Sequence, residues 1–167
     1  MFLRLNYTLC LLILAASVLK AQDWPIPKPE VLGSKGDYAK YESVFLKSVD
    51  WLIEHDIDAE GRAPVNAFAL AWISGTDAFS IPVEPYLIDL SQRNPDLLLV
   101  FLGSWGEFVL KNPEQKHQIY ACNWYALQNL LDFYENSSAK KTDKAIEKLL
   151  RRRRKDQLQN WLKKRVH

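Results

Sequence analysis

Asn94-Pro95-Asp96-Leu97-Leu98-Leu99-Val100-Phe101-Leu102-Gly103-Ser104-Trp105-Gly106-Glu107-Phe108-Val109-Leu110 reads as a helix with almost no polar face. Asn94 offers a capping side chain, and Pro95 suits the first helical position, where its missing N–H has no partner to lose. A helix that is apolar nearly all round belongs in the middle of a domain, covered by other helices. Gly103 and Gly106 lie on one side of it and let a neighbour approach closely. The rest of the chain must therefore supply helices that bury this one.

It does so on both sides. Tyr38, Tyr41, Phe45, Val49 and Leu52 recur at steps of three and four, the period of one buried helical face. Residues 56–62 read as a loop, Pro64 as the first turn of a second helix, and Gly75 as its stop. Residues 76–83 form a connection, with an extended piece expected at Phe79-Ser80-Ile81, and residues 85–92 a short helix. Asn112-Pro113 is expected to open the next long helix. There Tyr120, Trp124, Leu127, Leu131 and Tyr134 step four, three, four, three. Residues 136–141 break it, and residues 143–154 and 157–164 read as shorter helices. No segment has the period of a strand. The expected fold is all-α: a compact bundle or short solenoid-like array of about five to seven helices.

The N-terminus sets a compartment. Arg4 is the one charge of a short n-region, and Leu9–Leu19 is an apolar run of signal-peptide length. Spanning a bilayer takes roughly 20 apolar residues. The predicted signal peptide covers residues 1–21, and its removal leaves one cysteine, Cys122, so no internal disulfide can form. Residues 22–36, with Trp24-Pro25-Ile26-Pro27-Lys28-Pro29, read as a proline-rich linker, either a tether or a strap lying on the domain. Residues 37–139 are the expected helical core and 140–167 a basic amphipathic tail docked on it. Export to the periplasm or the extracellular space follows from the leader, with no transmembrane segment after its cleavage.

Charge is segregated behind a near-neutral total. Residues 140–167 carry 12 basic side chains and three acids, whereas residues 22–139 carry eight basic side chains and 17 acids. Arg151-Arg152-Arg153-Arg154-Lys155 is the densest run and the predicted partner-binding site. In a cytosolic protein such a run would suggest nucleic acid; an export signal argues against that. The remaining candidates are an acidic envelope protein, an anionic membrane surface, or the protein's own acidic body.

Candidate chemistry is sparse, and no cofactor motif is present. Asp56, Asp58 and Glu60, followed by Gly61, match the first half of a calcium loop, but Ala67 stands where the closing carboxylate belongs. Glu54, His55 and Asp56 are adjacent and cannot share a helical face as zinc ligands. His117 and Cys122 also diverge. Ser104 lacks the surroundings of a nucleophile elbow. Glu107 is the only ionisable residue between Leu97 and Leu110. It needs a partner, for which Arg62, Arg93 or Lys116 are candidates, or a raised pKa that would suit a general acid. Trp51, Trp72, Trp105 and Trp124 fall one to each main helix and read as core anchors, the alternative being a platform for sugar rings. Asn136-Ser137-Ser138 is a formal glycosylation sequon.

Residues 66–76 (NAFALAWISGT), Asn94-Pro95-Asp96-Leu97-Leu98 and the Trp161 terminus, with a leader ending Ala21-Gln22, resemble small exported all-helical bacterial proteins of uncharacterised function. The resemblance implies an envelope setting and a helical fold, and it transfers no catalytic residue. The leading expectation is a non-enzymatic module that binds a partner through Arg151–Lys155. The alternatives are an enzyme assembled around Glu107, Asp96 or the 56–60 loop, and a glycan or small-molecule binder that uses the tryptophans.

Overall fold

The computed structural model describes residues 24–166, so the predicted signal peptide lies outside the described residues. The helices are α1 (Lys35–Lys40), α2 (Glu42–Glu54), α3 (Arg62–Gly75), α4 (Pro85–Ser91), α5 (Asp96–Lys111), α6 (Ile119–Asn136), α7 (Lys144–Arg153) and α8 (Leu158–Lys163). Single 3-10 turns occupy Pro29–Val31 and Pro113–Gln115. No strand occurs among the described residues, and the expected all-helical bundle is what forms. The extended piece expected at Phe79–Ile81 pairs with nothing as a strand.

Helix α5 is the central element, as its composition demands. Leu97, Val100, Phe101, Trp105 and Val109 join one buried cluster with residues of α4, α6, α7 and α8. Its glycine side faces α2. A Cβ on Gly106 would sit 2.7 Å from Phe79 Cζ and 3.3 Å from Phe45 Cζ, and one on Gly103 would sit 3.1 Å from Val49. These glycines therefore let α2 reach the α5 backbone. Phe45, Val49, Trp51 and Leu52 of α2 pack with Val65, Phe68, Ala69 and Trp72 of α3 to form the second cluster. The turn between these two helices is closed by Gly61 at φ 84°, a left-handed conformation that favours glycine.

The proline-rich segment is a strap rather than a spacer. Trp24, Ile26 and Leu32 pack against the α2–α3 cluster. The apolar side chains between the prolines explain this, because leaving them in water would waste their burial.

Asn94 does not cap α5 with its side chain. It reaches 47 residues along the chain instead, donating from Nδ2 to Lys141 O at 2.8 Å and accepting from Lys141 N–H at 2.7 Å. Nearby, Tyr134 Oη accepts from Asp143 N–H at 2.8 Å. The tail expected to begin at residue 140 is thus fastened where it leaves α6. Its apolar residues Ile146, Leu149, Leu150, Leu158 and Leu162 belong to the main core. Asn112 ends α5 rather than opening α6, which starts at Ile119.

Local chemistry accounts for α7. Asp143 Oδ1 accepts from Ala145 N–H and Ile146 N–H, capping the first turn, and Arg151–Arg153 crowd the last turn where the helix dipole favours cations. The chain then reverses through Asp156 at φ 55°. Asp156 N–H bonds Arg153 O at 3.1 Å and Gln157 N–H bonds Arg152 O at 2.9 Å, the two bonds of a Schellman cap.

Candidate functional site

The five residues of the basic run divide by what they face. Arg153 turns to α6, pairing with Asp132 at 2.6 Å and with Glu135, and it donates to Gln128 Oε1 at 3.3 Å. Arg154 adds a longer pair to Glu135 at 3.4 Å. Arg152 is part-buried. Arg153 and Arg154 tie α7 to the acidic side chains of α6, and this leaves Arg151 and Lys155 of the expected partner-binding run without ion pairs among the described residues. Arg151 and Lys155 remain outward. They continue a row begun by Lys144 and Lys148, at steps of four, three and four, with Lys155 just beyond the end of α7. All four are exposed, and none makes an ion pair among the described residues. The signal for the row lies in its helical spacing, which joins Arg151 and Lys155 of the basic run to Lys144 and Lys148.

The calcium-loop candidate is used for another purpose. Asp56 accepts from Ile57 N–H at 2.7 Å, from Ser138 N–H at 2.8 Å, from Ser138 Oγ at 2.6 Å and from the Ser137 hydroxyl. Its carboxylate thereby fastens the α2–α3 connection to the exit of α6. Asp58 and Glu60 are exposed, and no group of three potential metal ligands occurs among the described residues. A cation would have to displace the serine hydroxyls and the N–H groups that occupy Asp56. Burial pushes the Asp56 carboxyl up, but the hydrogen bonds from Ser137, Ser138 and Ile57 outweigh it and hold the group well below the usual carboxylate range.

A depressed folded-state pKa stabilises the protein above the unfolded value of about 4. That contribution is lost as pH falls through the folded value. Asp56→Asn should remove it: at neutral pH the variant should be about 1.5–3 kcal/mol less stable, since hydrogen bonds to a charged group are worth that much. The gap to the wild type should narrow steadily below about pH 4 in urea titrations. A gap that is independent of pH down to pH 2 would show that Asp56 contributes only as a neutral acceptor.

Glu107 is 3% exposed at its side chain and is paired, though not with any of the expected cations. Lys111, one turn on, donates to Oε1 at 2.5 Å, and Tyr125 Oη donates to Oε2 at 3.1 Å. The i,i+4 spacing of Glu107 and Lys111 was visible in the sequence. Burial pushes the Glu107 carboxyl up, Lys111 opposes that, and Asp50 adds to it. Both oxygens are occupied, and none of the five clefts described for the surface is lined by Glu107. Ser104, one turn earlier, accepts from Asn129 Nδ2 at 3.1 Å, so the same α5–α6 seam continues as a polar ladder.

The other candidates are structural in their contacts. Asp96 pairs with the buried Arg62 at 2.8 Å and accepts from Asn66 at 3.2 Å. His55 stacks on Trp51 at 4.1 Å between centroids and shares a 2.8 Å hydrogen bond with Trp51 O. Burial pushes the Cys122 thiol up to about 11, while His117 is exposed on the surface. Trp51, Trp72 and Trp105 are buried in the core, so they offer no row of exposed rings. Trp124 is part-exposed. Among the described residues no helix is long and apolar enough to cross a membrane. No family model, curated protein or solved structure matches this chain.

Proposed function

We propose that this is an exported, non-enzymatic binding module whose α7 surface docks on an acidic protein of the cell envelope. The observation that carries the proposal is the row Lys144, Lys148, Arg151 and Lys155. It stands exposed on a helix whose opposite side is fixed by buried leucines and by the Arg153 and Arg154 pairs. A fixed row of cations meets an acidic surface without first having to order itself, and it speeds encounter as well as holding register. Export is inferred from the leader of residues 1–21, and the absence of a catalytic constellation around Glu107 favours binding over catalysis.

The test is crosslinking in intact cells from a photoreactive residue at Lys155, followed by mass spectrometry. The wild-type protein should capture one dominant acidic envelope protein. Lys148→Glu with Arg151→Glu should reduce capture roughly tenfold or more and should weaken its salt dependence, as loss of electrostatic steering does. Both substitutions are on exposed positions, so circular dichroism should be unchanged. Equal capture by the double variant, or capture of lipid alone, would refute the proposal.

A further inference from the structure

A cleft of about 320 Å³ lies where α6 meets the α7–α8 turn, and it is lined by Trp124, Gln128, Arg153, Asp156, Leu158 and Gln159. Three independent features converge on it. Trp124 is the one tryptophan of the four main helices that the core does not fully cover. Asp156 is the only non-glycine residue with positive φ among the described residues. Glycine would make the same helix cap without the cost of a Cβ, so the position carries a carboxylate that the cap does not need. Gln128 accepts from Arg153 at Oε1, whereas its Nε2 is buried with no acceptor.

We propose that this cleft binds a neutral sugar ring. The proposal is independent of the outward row on α7. The chemistry of the walls selects the ligand. An indole face is electron-rich and packs against the weakly positive C–H face of a pyranose. Asp156 accepts from ring hydroxyls, Gln159 offers both a donor and an acceptor, and the Gln128 amide supplies a donor that has no protein partner. Of the two charged residues that line the cleft, Arg153 is held by Asp132 and Glu135, which leaves Asp156 as the charged wall residue without an ion pair and disfavours an acid against that wall. A volume near the lower end of ligand pockets suits one ring rather than a long chain lying inside it.

The probes are the methyl glycosides of glucose, galactose, mannose and N-acetylglucosamine, and the linear trimers of glucose and N-acetylglucosamine. They are titrated into the full-length mature protein while the Trp124 indole N–H is followed by NMR. At least one probe should shift that resonance saturably at millimolar concentration. Trp124→Ala and Asp156→Gly should each weaken binding roughly tenfold or more. Asp156→Gly preserves the left-handed backbone, so its melting temperature should equal or exceed that of the wild type, which separates lost binding from lost folding. Lys47→Glu, at an exposed position on α2, should bind as the wild type does. The proposal is overturned if no probe shifts Trp124, if Asp156→Gly binds unchanged, or if glucuronate binds more tightly than glucose.

Discussion

Arg62→Ala is expected to lower the free energy of unfolding by about 3–5 kcal/mol, the cost of breaking a buried ion pair from one side. The side chain is 4% exposed. Its Nε donates to Asp96 at 2.8 Å, and Nη1 donates to Leu52 O at 3.1 Å and His55 O at 2.7 Å. Those two carbonyls lie at the C-terminal end of α2, where the helix leaves acceptors without partners and the dipole is negative. Asp96 stands in the first turn of α5, where the dipole is positive. One guanidinium therefore joins the end of α2 to the start of α5, and it lies 5.0 Å from the Phe133 ring of α6. The shift should appear in urea unfolding as a lower midpoint with an unchanged slope.

Stabilities of 5–15 kcal/mol are usual, so the variant could fail to accumulate. Arg62→Lys keeps the charge but loses the planar fork, and it should retain part of the stability. The double variant Arg62→Met with Asp96→Leu removes the stranded carboxylate. It should recover only part of the loss, because the carbonyls of Leu52 and His55 stay uncovered. Full recovery would mean that the ion pair, rather than the cap on α2, is what Arg62 contributes.

Trp72→Ala should cost a similar amount, about 3–5 kcal/mol, through the cavity it leaves. Trp72 stacks on Phe45 at 4.1 Å and 12°, meets Tyr38 edge-on at 6.3 Å, and packs beside Phe79 at 6.1 Å. Its Nε1–H donates to Tyr38 O at 3.0 Å. It thus joins α1, α2, α3 and the connection to α4. Trp105 is equally buried, but its Nε1 has no hydrogen-bond partner. Replacing each by phenylalanine separates volume from the hydrogen bond. Trp72→Phe should be the more destabilising of the two by about 1 kcal/mol, the net worth of the bond it loses. Equal losses in thermal and urea unfolding would show that packing alone decides both sites.

What could be read in advance was periodic or adjacent. The helical faces of α2 and α6, the start of α3 near Pro64 and its stop at Gly75, and the central place of α5 all follow from residues within one or two turns of each other. Glu107 with Lys111 belongs to the same class, and attending to the i,i+4 rule would have found that pair. The sequence also carried the division of charge between body and tail, since composition needs no fold.

The long-range partners were hidden. Asp56 looked like half of a cation site because its neighbours were acidic; its true partners are Ser137 and Ser138, more than 80 residues away. Asn94 looked like a helix cap but binds the backbone of Lys141. Arg62 reads in the sequence only as one of three cations for Glu107, and nothing local marks Asp96 and the carbonyls of Leu52 and His55 as its partners until α2, α5 and α6 converge around it. The basic run is divided by a long-range contact in the same way. Four arginines in a row must point to different sides of a helix, and only the position of α6 shows that Arg153 turns inward while Arg151 turns out.

The sequence by itself thus determined the helical class, the identity of the buried central helix and the segregation of charge, because these depend on period and composition. The tertiary structure alone decided which carboxylates are occupied, which cations face outward, and that Trp124, Gln128 and Asp156 share one cleft. Burial, pairing and convergence are relations between residues distant in the chain, and a hydrogen bond at 2.8 Å exists only once the packing of the core has brought its two ends together.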